Sequence, residues 1–253
     1  MKYAIISDIH SNLEALETVM PEIEKHKPDK LVCLGDIVGY GPNPNETIDI
    51  IRKNADIVVP GNHEQSICNI KAGITYFLRD YNEYATEALI WTMKNLTKEN
   101  LEFIDKLISE GYTKEENKII FAHSTPFLTE EMNYIHGPIH AQIHFFNDKE
   151  RKFNYCFVGH THRPKIYEEK NKKRINKSIE IKKKNKLRKR ALIVAPSIGQ
   201  PRDGNNKTGF MIFDSSTNIL EYKRMNYDFK TTQDKMKFAG LPTYLVERLE
   251  FGR

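Results

Sequence analysis

Short, unbroken apolar runs recur along the chain: Tyr3-Ala4-Ile5-Ile6, Leu31-Val32-Cys33-Leu34, Ile57-Val58-Val59, Ile119-Ile120-Phe121-Ala122 and Tyr155-Cys156-Phe157-Val158. Runs of this kind, without polar alternation, predict buried strands. Between the first two, Leu13, Leu16, Val19, Met20 and Ile23 recur at helical spacing and predict an amphipathic helix ending near Lys27-Pro28. Asn43-Pro44 starts a second helix, which runs to Arg52 and packs through Ile48 and Ile51. Residues 75–110 read as two helices, with Leu101, Ile104, Leu107 and Ile108 as the clearer stripe. Further on, strands near 164–168 and 191–194 precede a hairpin of 208–213 with 219–225, and two short helices, 231–239 and 242–250, close the chain. Leu245, Val246 and Leu249 should dock on a sheet edge.

At 253 residues the chain is long enough for one well-buried domain, and we find no internal repeat or linker that would divide it. No apolar run reaches the roughly 18 residues of a membrane span, and Met1-Lys2-Tyr3 leads straight into a strand instead of a signal peptide. Cys33, Cys68 and Cys156 are odd in number and two lie inside apolar runs, which predicts reduced thiols in a cytoplasmic protein. Residues 170–190 carry twelve Lys or Arg against the single acid Glu180, a local charge of +11 in a chain whose total is +5. The remainder is therefore net acidic, and the basic character belongs to one stretch. A solvated loop or ragged hairpin is the expectation for it, with recruitment of a polyanion as the alternative.

The chemistry gathers where the apolar runs stop. The first ends at Ser7-Asp8-Ile9-His10, the second at Gly35-Asp36, the third at Gly61-Asn62-His63-Glu64, the fourth at His123 and the fifth at Gly159-His160-Thr161-His162. Asp8 and His10, like His160 and His162, sit two apart, a spacing that lets both side chains leave a strand end on one side. If these ends share one edge, Asp8, His10, Asp36, Asn62, His123, His160 and His162 meet in a single crevice. That is too many ligands for one ion and suits two that share Asp36. Imidazole, carboxylate and amide ligands without thiolate favour Mn, Fe, Ni, Co or Zn, with no choice among them.

The ordered set Asp8-x-His10, Gly35-Asp36, Gly61-Asn62-His63-Glu64, His123 and Gly159-His160-Thr161-His162 resembles the calcineurin-like metallophosphoesterases. The surroundings of Asp8 and Asp36, together with Ser197-Ile198-Gly199-Gln200-Pro201-Arg202-Asp203-Gly204, look like a prokaryotic subgroup related to diadenosine-tetraphosphate hydrolases or serine/threonine phosphatases. The resemblance implies an α/β (α+β) fold: a four-layer α-β-β-α sandwich of two mixed sheets. The residues read as one domain over 1–253, with a helical insertion at about 73–110 and a basic loop at about 169–190. The resemblance also implies two divalent ions holding a hydroxide that attacks phosphorus, Asn62 as a ligand and His63 as the catalytic acid. Many relatives place a carboxylate three residues beyond the bridging aspartate to orient that histidine. Here the position is Gly39, so either another group, Glu64 being a candidate, orients His63, or its acid role is weaker than in the protein-phosphatase branch.

Three further residues are candidates for substrate contact. Asn12 caps the first helix or stands beside the substrate phosphate. Tyr40 lines the crevice or simply packs. Arg202 binds phosphate or pairs with neighbouring acids. The aromatics Tyr76, Phe77, Tyr81, Tyr84 and Trp91 read as core. His136, His140 and His144 recur every four residues and read as a partly exposed helix face. The expected partner is a phosphate ester, hydrolysed as a mono- or diester. A non-catalytic scaffold on the same fold, or a nuclease drawing nucleic acid through 170–190, are the rivals. No ligand position is degraded, which opposes the scaffold. No membrane partner is expected, and the oligomeric state is open.

Overall fold

A computed structural model of the protein describes residues 1–127, 131–147, 150, 152–171, 174–175 and 181–253. In chain order the elements are β1 (Lys2–Ile6), α1 (Leu13–Lys25), β2 (Lys30–Cys33), α2 (Pro44–Asn54), β3 (Ile57–Val58) and α3 (Asn62–Lys71). A 3-10 turn (Tyr76–Asp80) leads into α4 (Glu83–Asn95) and α5 (Lys98–Ser109), followed by β4 (Thr113–Glu116) and β5 (Ile119–Ala122). Next come α6 (Pro138–Ala141), which continues as a π-helical turn (Gln142–Phe146), β6 (Tyr155–Val158), β7 (Lys165–Asn171), β8 (Arg174–Ile175) and β9 (Lys184–Lys186). The chain closes with β10 (Ala191–Val194), β11 (Thr208–Asp214), β12 (Ile219–Met225), α7 (Phe229–Phe238) and α8 (Thr243–Phe251).

Two six-stranded sheets result, ordered β3-β2-β1-β11-β12-β9 and β4-β5-β6-β10-β7-β8. Both are mixed: β1, β2 and β3 run parallel in the first, and β5, β6 and β10 in the second. Strand alternation explains the layering. Tyr3 and Ile5 of β1 face the second sheet, where they join Phe121, Phe157, Ile193 and Phe213, while Ala4 and Ile6 turn outward onto Leu16, Val19, Ile48 and Ile51 of α1 and α2. Strands packed on both faces read as continuous apolar runs for this reason. On the far side, Ile120, Cys156, Val158 and Leu192 are covered by Ala141, Phe145 and Phe146. The architecture is the expected four-layer sandwich, with a thin outer layer there.

Three expectations need correction. Leu245, Val246 and Leu249 do not dock on a sheet edge; they pack with Tyr40, Ala85, Ala88 and Met236, so α8 closes over the loop after β2 and over α4. The basic stretch is not a solvated loop throughout. Leu187 is buried between the sheets with Ile181 against it, β9 pairs with β12, and the Arg190 guanidinium sits 4.2 Å from the Phe145 ring centre. Residues 172–173 and 176–180, including Ile179, lie outside the described residues. The aromatics of 75–110 are core only in part: Tyr81 and Trp91 pack half-buried against the cluster of α4 and α8, whereas Tyr76 is 71% exposed and Tyr84 is also exposed.

Phe157→Ala, which empties the space between the sheets, should cost about 3–5 kcal/mol of unfolding free energy in urea melts. Phe238→Ala, at a side chain 97% exposed, should stay within about 0.5 kcal/mol. Equal effects at the two positions would contradict this layering.

Candidate metal centre

The seven candidate ligands converge in two buried groups: Asp8, His10, Asp36 and His162 in one, and Asp36, His123 and His160 in the other. Asn62 joins the second through its Oδ1, 3.2 Å from His123 Nε2. Asp36 belongs to both, with Oδ2 3.7 Å from His10 Nε2 and 3.3 Å from His123 Nε2. Asp8 Oδ1 lies 3.4 Å from His162 Nε2.

The route by which the side chains arrive differs from strand alternation. Asp8, His10, Asp36, His160 and His162 all lie beyond the strands with φ between 50° and 65°, the left-handed region. Non-glycine residues there cost about 1–2 kcal/mol each. The loops hold these conformations by bonding to each other: Asp8 N–H donates to Gly35 O, His10 N–H to Asp36 O, and His160 N–H to Asp8 Oδ1 at 3.0 Å. Asn62 and His63 likewise open helix α3 instead of ending a strand, and successive helix positions diverge by about 100°. Their side chains therefore separate, one toward the ligand cluster and one toward the cavity.

Glu64 does not orient His63. Its carboxylate, wholly buried, accepts N–H bonds from Asp36, Ile37, Val38 and Gly61 at 2.7–3.1 Å. It ties the start of α3 to the loop that carries Asp36. Sequence reasoning missed this role, although Gly61-x-x-Glu64 is the spacing of a capping glutamate at the third helical position. His63 is placed instead by its N–H to Asp36 Oδ1 at 2.9 Å and by ring contacts with His10 and Tyr40 at 4.6 Å. Its Nδ1 has no hydrogen-bond partner and rests on Gly39, where a Cβ would sit 2.0 Å away. A carboxylate at that position has no room beside the ring.

The hydrogen bonds of the ligand histidines test whether the site suits cations. His10, His123 and His162 each turn Nδ1 to a backbone carbonyl, of Val38, Leu34 and Gln200, at 3.2, 2.7 and 2.6 Å. His160 turns Nε2 to the Met132 carbonyl at 3.0 Å. A carbonyl only accepts, so each of these nitrogens carries the proton and the opposite one bears a lone pair. The lone pairs then face each other, His10 Nε2 to His162 Nε2 at 3.1 Å and His123 Nε2 to His160 Nδ1 at 3.1 Å. Asn62 adds a further acceptor, because its Nδ2 is held by Tyr81 Oη at 2.8 Å and its Oδ1 is thereby aimed at His123. Acceptors facing acceptors in a dry site repel unless a cation stands among them, and the donors fit divalent ions.

The titration behaviour agrees for His10, His160 and His162 and departs at His123, where a proton takes the place that a cation would fill. Burial pushes Asp8 up to about 6. Burial holds His10 and His162 well below the usual imidazole range and His160 at about 3. Burial also opposes a charge on His123, yet the negative charges of Asp36 and Asp8 outweigh it and lift this ring to about 9. Asp36, although wholly buried, is held well below the carboxylate range by His123 and His63. His63 falls to about 4 through burial.

Of the substrate candidates, Tyr40 and Arg202 line a cavity of about 600 Å³ that also reaches Asp36, Asn62, His63, His160 and His162. Arg202 pairs with no adjacent acid: Asp203 is taken by Arg224 at 2.7 Å. Asn12 does not reach this cavity. Its amide is consumed by capping Ala15 N–H and by bonds to Gly199 O, Tyr227 Oη and Thr232 Oγ1, so the cap is its role. Tyr76, Phe77, Tyr81 and Tyr134 also line the cavity, a wall that helical periodicity did not disclose. His136 is exposed in the loop before α6, and His140 and His144 are partly exposed on α6 and its π-helical continuation.

The sequence profile described as calcineurin-like phosphoesterase matches residues 1–164. The uncharacterized protein MJ0912 of Methanocaldococcus jannaschii is 39% identical over 255 residues, covering 99% of this chain and 98% of its own. The crystal structure of a metallophosphoesterase from Sphaerobacter thermophilus superposes with a TM-score of 0.84 at 31% identity, over 100% of both chains. That of the hypothetical protein PH1004 from Pyrococcus horikoshii OT3 gives 0.78 at 20% identity, over 100% of this chain and 98% of the other.

If cations relieve the facing lone pairs, Mn or Zn should raise the melting temperature of metal-stripped protein, because a ligand that binds only the native state stabilises it. Asp36→Asn should abolish the rise. A melting temperature indifferent to divalent ions would contradict the reading.

Proposed function

The chain belongs to the calcineurin-like phosphoesterases, and on that premise we propose that it hydrolyses phosphomonoesters or phosphodiesters with two divalent cations. Asp8, His10, Asp36 and His162 would hold one, and Asp36, Asn62, His123 and His160 the other. The observation that carries this reading is the convergence of four carbonyl-tethered imidazoles on Asp36, lone pairs inward.

When bound, a pair of divalent ions offsets charge on phosphoryl oxygens and lowers the pKa of water, which supplies the nucleophile. The protein's own groups do the rest. Arg202 lines the cavity beside these ligands, and its guanidinium donates to Gln200 Oε1 at 2.8 and 3.2 Å. Anchored on that side, it presents the rest of its N–H fork to a phosphate oxygen. His63 lines the same cavity, held by Asp36 and wedged between His10 and Tyr40. An anionic phosphate arriving beside the ring raises its proton affinity, and the ring then donates a proton to the departing oxygen. Tyr40 packs against this ring with the centroids 4.6 Å apart and limits its rotation. The free, buried thiols of Cys33 and Cys156 accord with a reducing compartment, and we place the protein in the cytoplasm.

Incubation with Mn and bis(p-nitrophenyl) phosphate should release p-nitrophenol. His63→Ala should retain both metals, measured by elemental analysis, and lose about 10²–10⁴-fold in turnover. A near-normal rate in that variant would remove His63 from the acid role. A fully metallated wild type inert to every phosphate ester would leave a binding module.

A further inference from the structure

The crevice does not end at the ligand cluster. Arg202, Tyr244 and Arg248 line it and also line a second, larger cavity of about 990 Å³, so the two cavities adjoin at these side chains. Arg163, Lys165, Arg202, Arg224, Arg248 and Arg253 bring six cations to this second space. The carboxylate among its lining residues is Asp203, and both its oxygens lie within 2.8 Å of Arg224 Nη2. Net positive charge therefore remains along the walls.

That charge is concentrated where the two cavities meet. Arg248, from α8, is lowered from the usual guanidinium range by its burial and then by the charge of Arg202. Two like charges held near one another are costly until an anion arrives, although Arg248 Nε donates meanwhile to the Arg253 main-chain oxygen. The groove is built by the Arg202–Gly204 loop, the end of β12 and α8, which Gly204 N–H joins by donating to Gly252 O at 2.9 Å. The Lys-rich run at 170–190 contributes little to it: of its described residues Ile181 lines the groove.

We propose that this arginine groove is a second anion subsite adjoining the metal crevice, and that the substrate carries at least one further phosphate beyond the ester that is cleaved. The proposal rests on the phosphoesterase reading and names the substrate class for that same site. A phosphate in the metal crevice leaves the next one along the chain at Arg202 and Arg248, with Arg163 and Arg253 beyond. Guanidinium groups bind phosphate oxygens in pairs, which favours a chain of phosphates over an isolated one.

The test is calorimetric titration of the protein saturated with Mn, in buffer holding excess Mn, with inorganic tripolyphosphate and with orthophosphate. Tripolyphosphate should bind about tenfold tighter or more, since one additional charge-assisted hydrogen bond suffices for that ratio. Its affinity should fall steeply with salt. Arg248→Gln with Arg163→Gln should abolish the advantage, and Arg248→Lys with Arg163→Lys, which keeps the charge but not the paired N–H fork, should keep only part of it. Equal affinity for the two anions in the wild type, or an advantage that survives the glutamine pair, would overturn the subsite. A tetrathymidylate arm identifies the source of the second phosphate. Binding with the same arginine dependence assigns it to a nucleotide chain, and binding of tripolyphosphate alone assigns it to a phosphoanhydride chain; either result supports the subsite. Because calorimetry needs no turnover, an inert enzyme with a working groove would remove the hydrolase reading alone.

Discussion

Electron pairs without protons, packed together out of reach of water, are the constraint on which the rest of this structure depends. Four backbone carbonyls, of Leu34, Val38, Met132 and Gln200, take the ring protons of four histidines and leave the opposite nitrogens bare. Asp36 Oδ2 stands between the two imidazole pairs, and Asp8 and Asn62 complete them. Each of these groups alone is unremarkable for a buried side chain. Together they form a site whose electrostatics are satisfied by positive charge and by little else. Where a proton serves instead, it settles on His123, the ring 3.3 Å from Asp36 Oδ2, whose charge Asp8 also favours.

The sandwich supplies the floor for this arrangement and the loops supply its geometry. Parallel strands β1, β2 and β3 in one sheet and β5, β6 and β10 in the other end on a common edge, so the loops that follow them meet there. Left-handed conformations at Asp8, His10, Asp36, His160 and His162 concentrate strain at the point where function is concentrated. The strain persists because the loops bond across the site, and because Glu64 binds four N–H groups around Asp36 with one carboxylate. Gly159 shows how close the approach is: a Cβ there would stand 1.9 Å from Ser7 Oγ.

Much of this was legible in the sequence. Unbroken apolar runs named the strands because both faces of each sheet are covered, and ligand-type residues at their ends named the site. The physical reason assigned to the ligands was wrong. Two-residue spacing suggested strand alternation, whereas φ values near 50–65° set the directions of Asp8, His10, His160 and His162. A backbone held in place by distant loops leaves no local trace. Glu64 left a trace, the capping spacing after Gly61, but its reach to the N–H groups of residues 36–38 depends on tertiary contact. The aromatic wall of Tyr76, Phe77 and Tyr81 was misread because helical period shows that one face is apolar and does not show what that face meets. The arginine groove was hidden for the same reason, its members being spread from Arg163 to Arg253.

The most direct measurement is an anomalous-difference map from crystals of the protein soaked in manganese. The account predicts two peaks, both coordinated by Asp36, one also touching Asp8, His10 and His162 and the other Asn62, His123 and His160. A featureless map at that position, or manganese bound only among other residues, would contradict it.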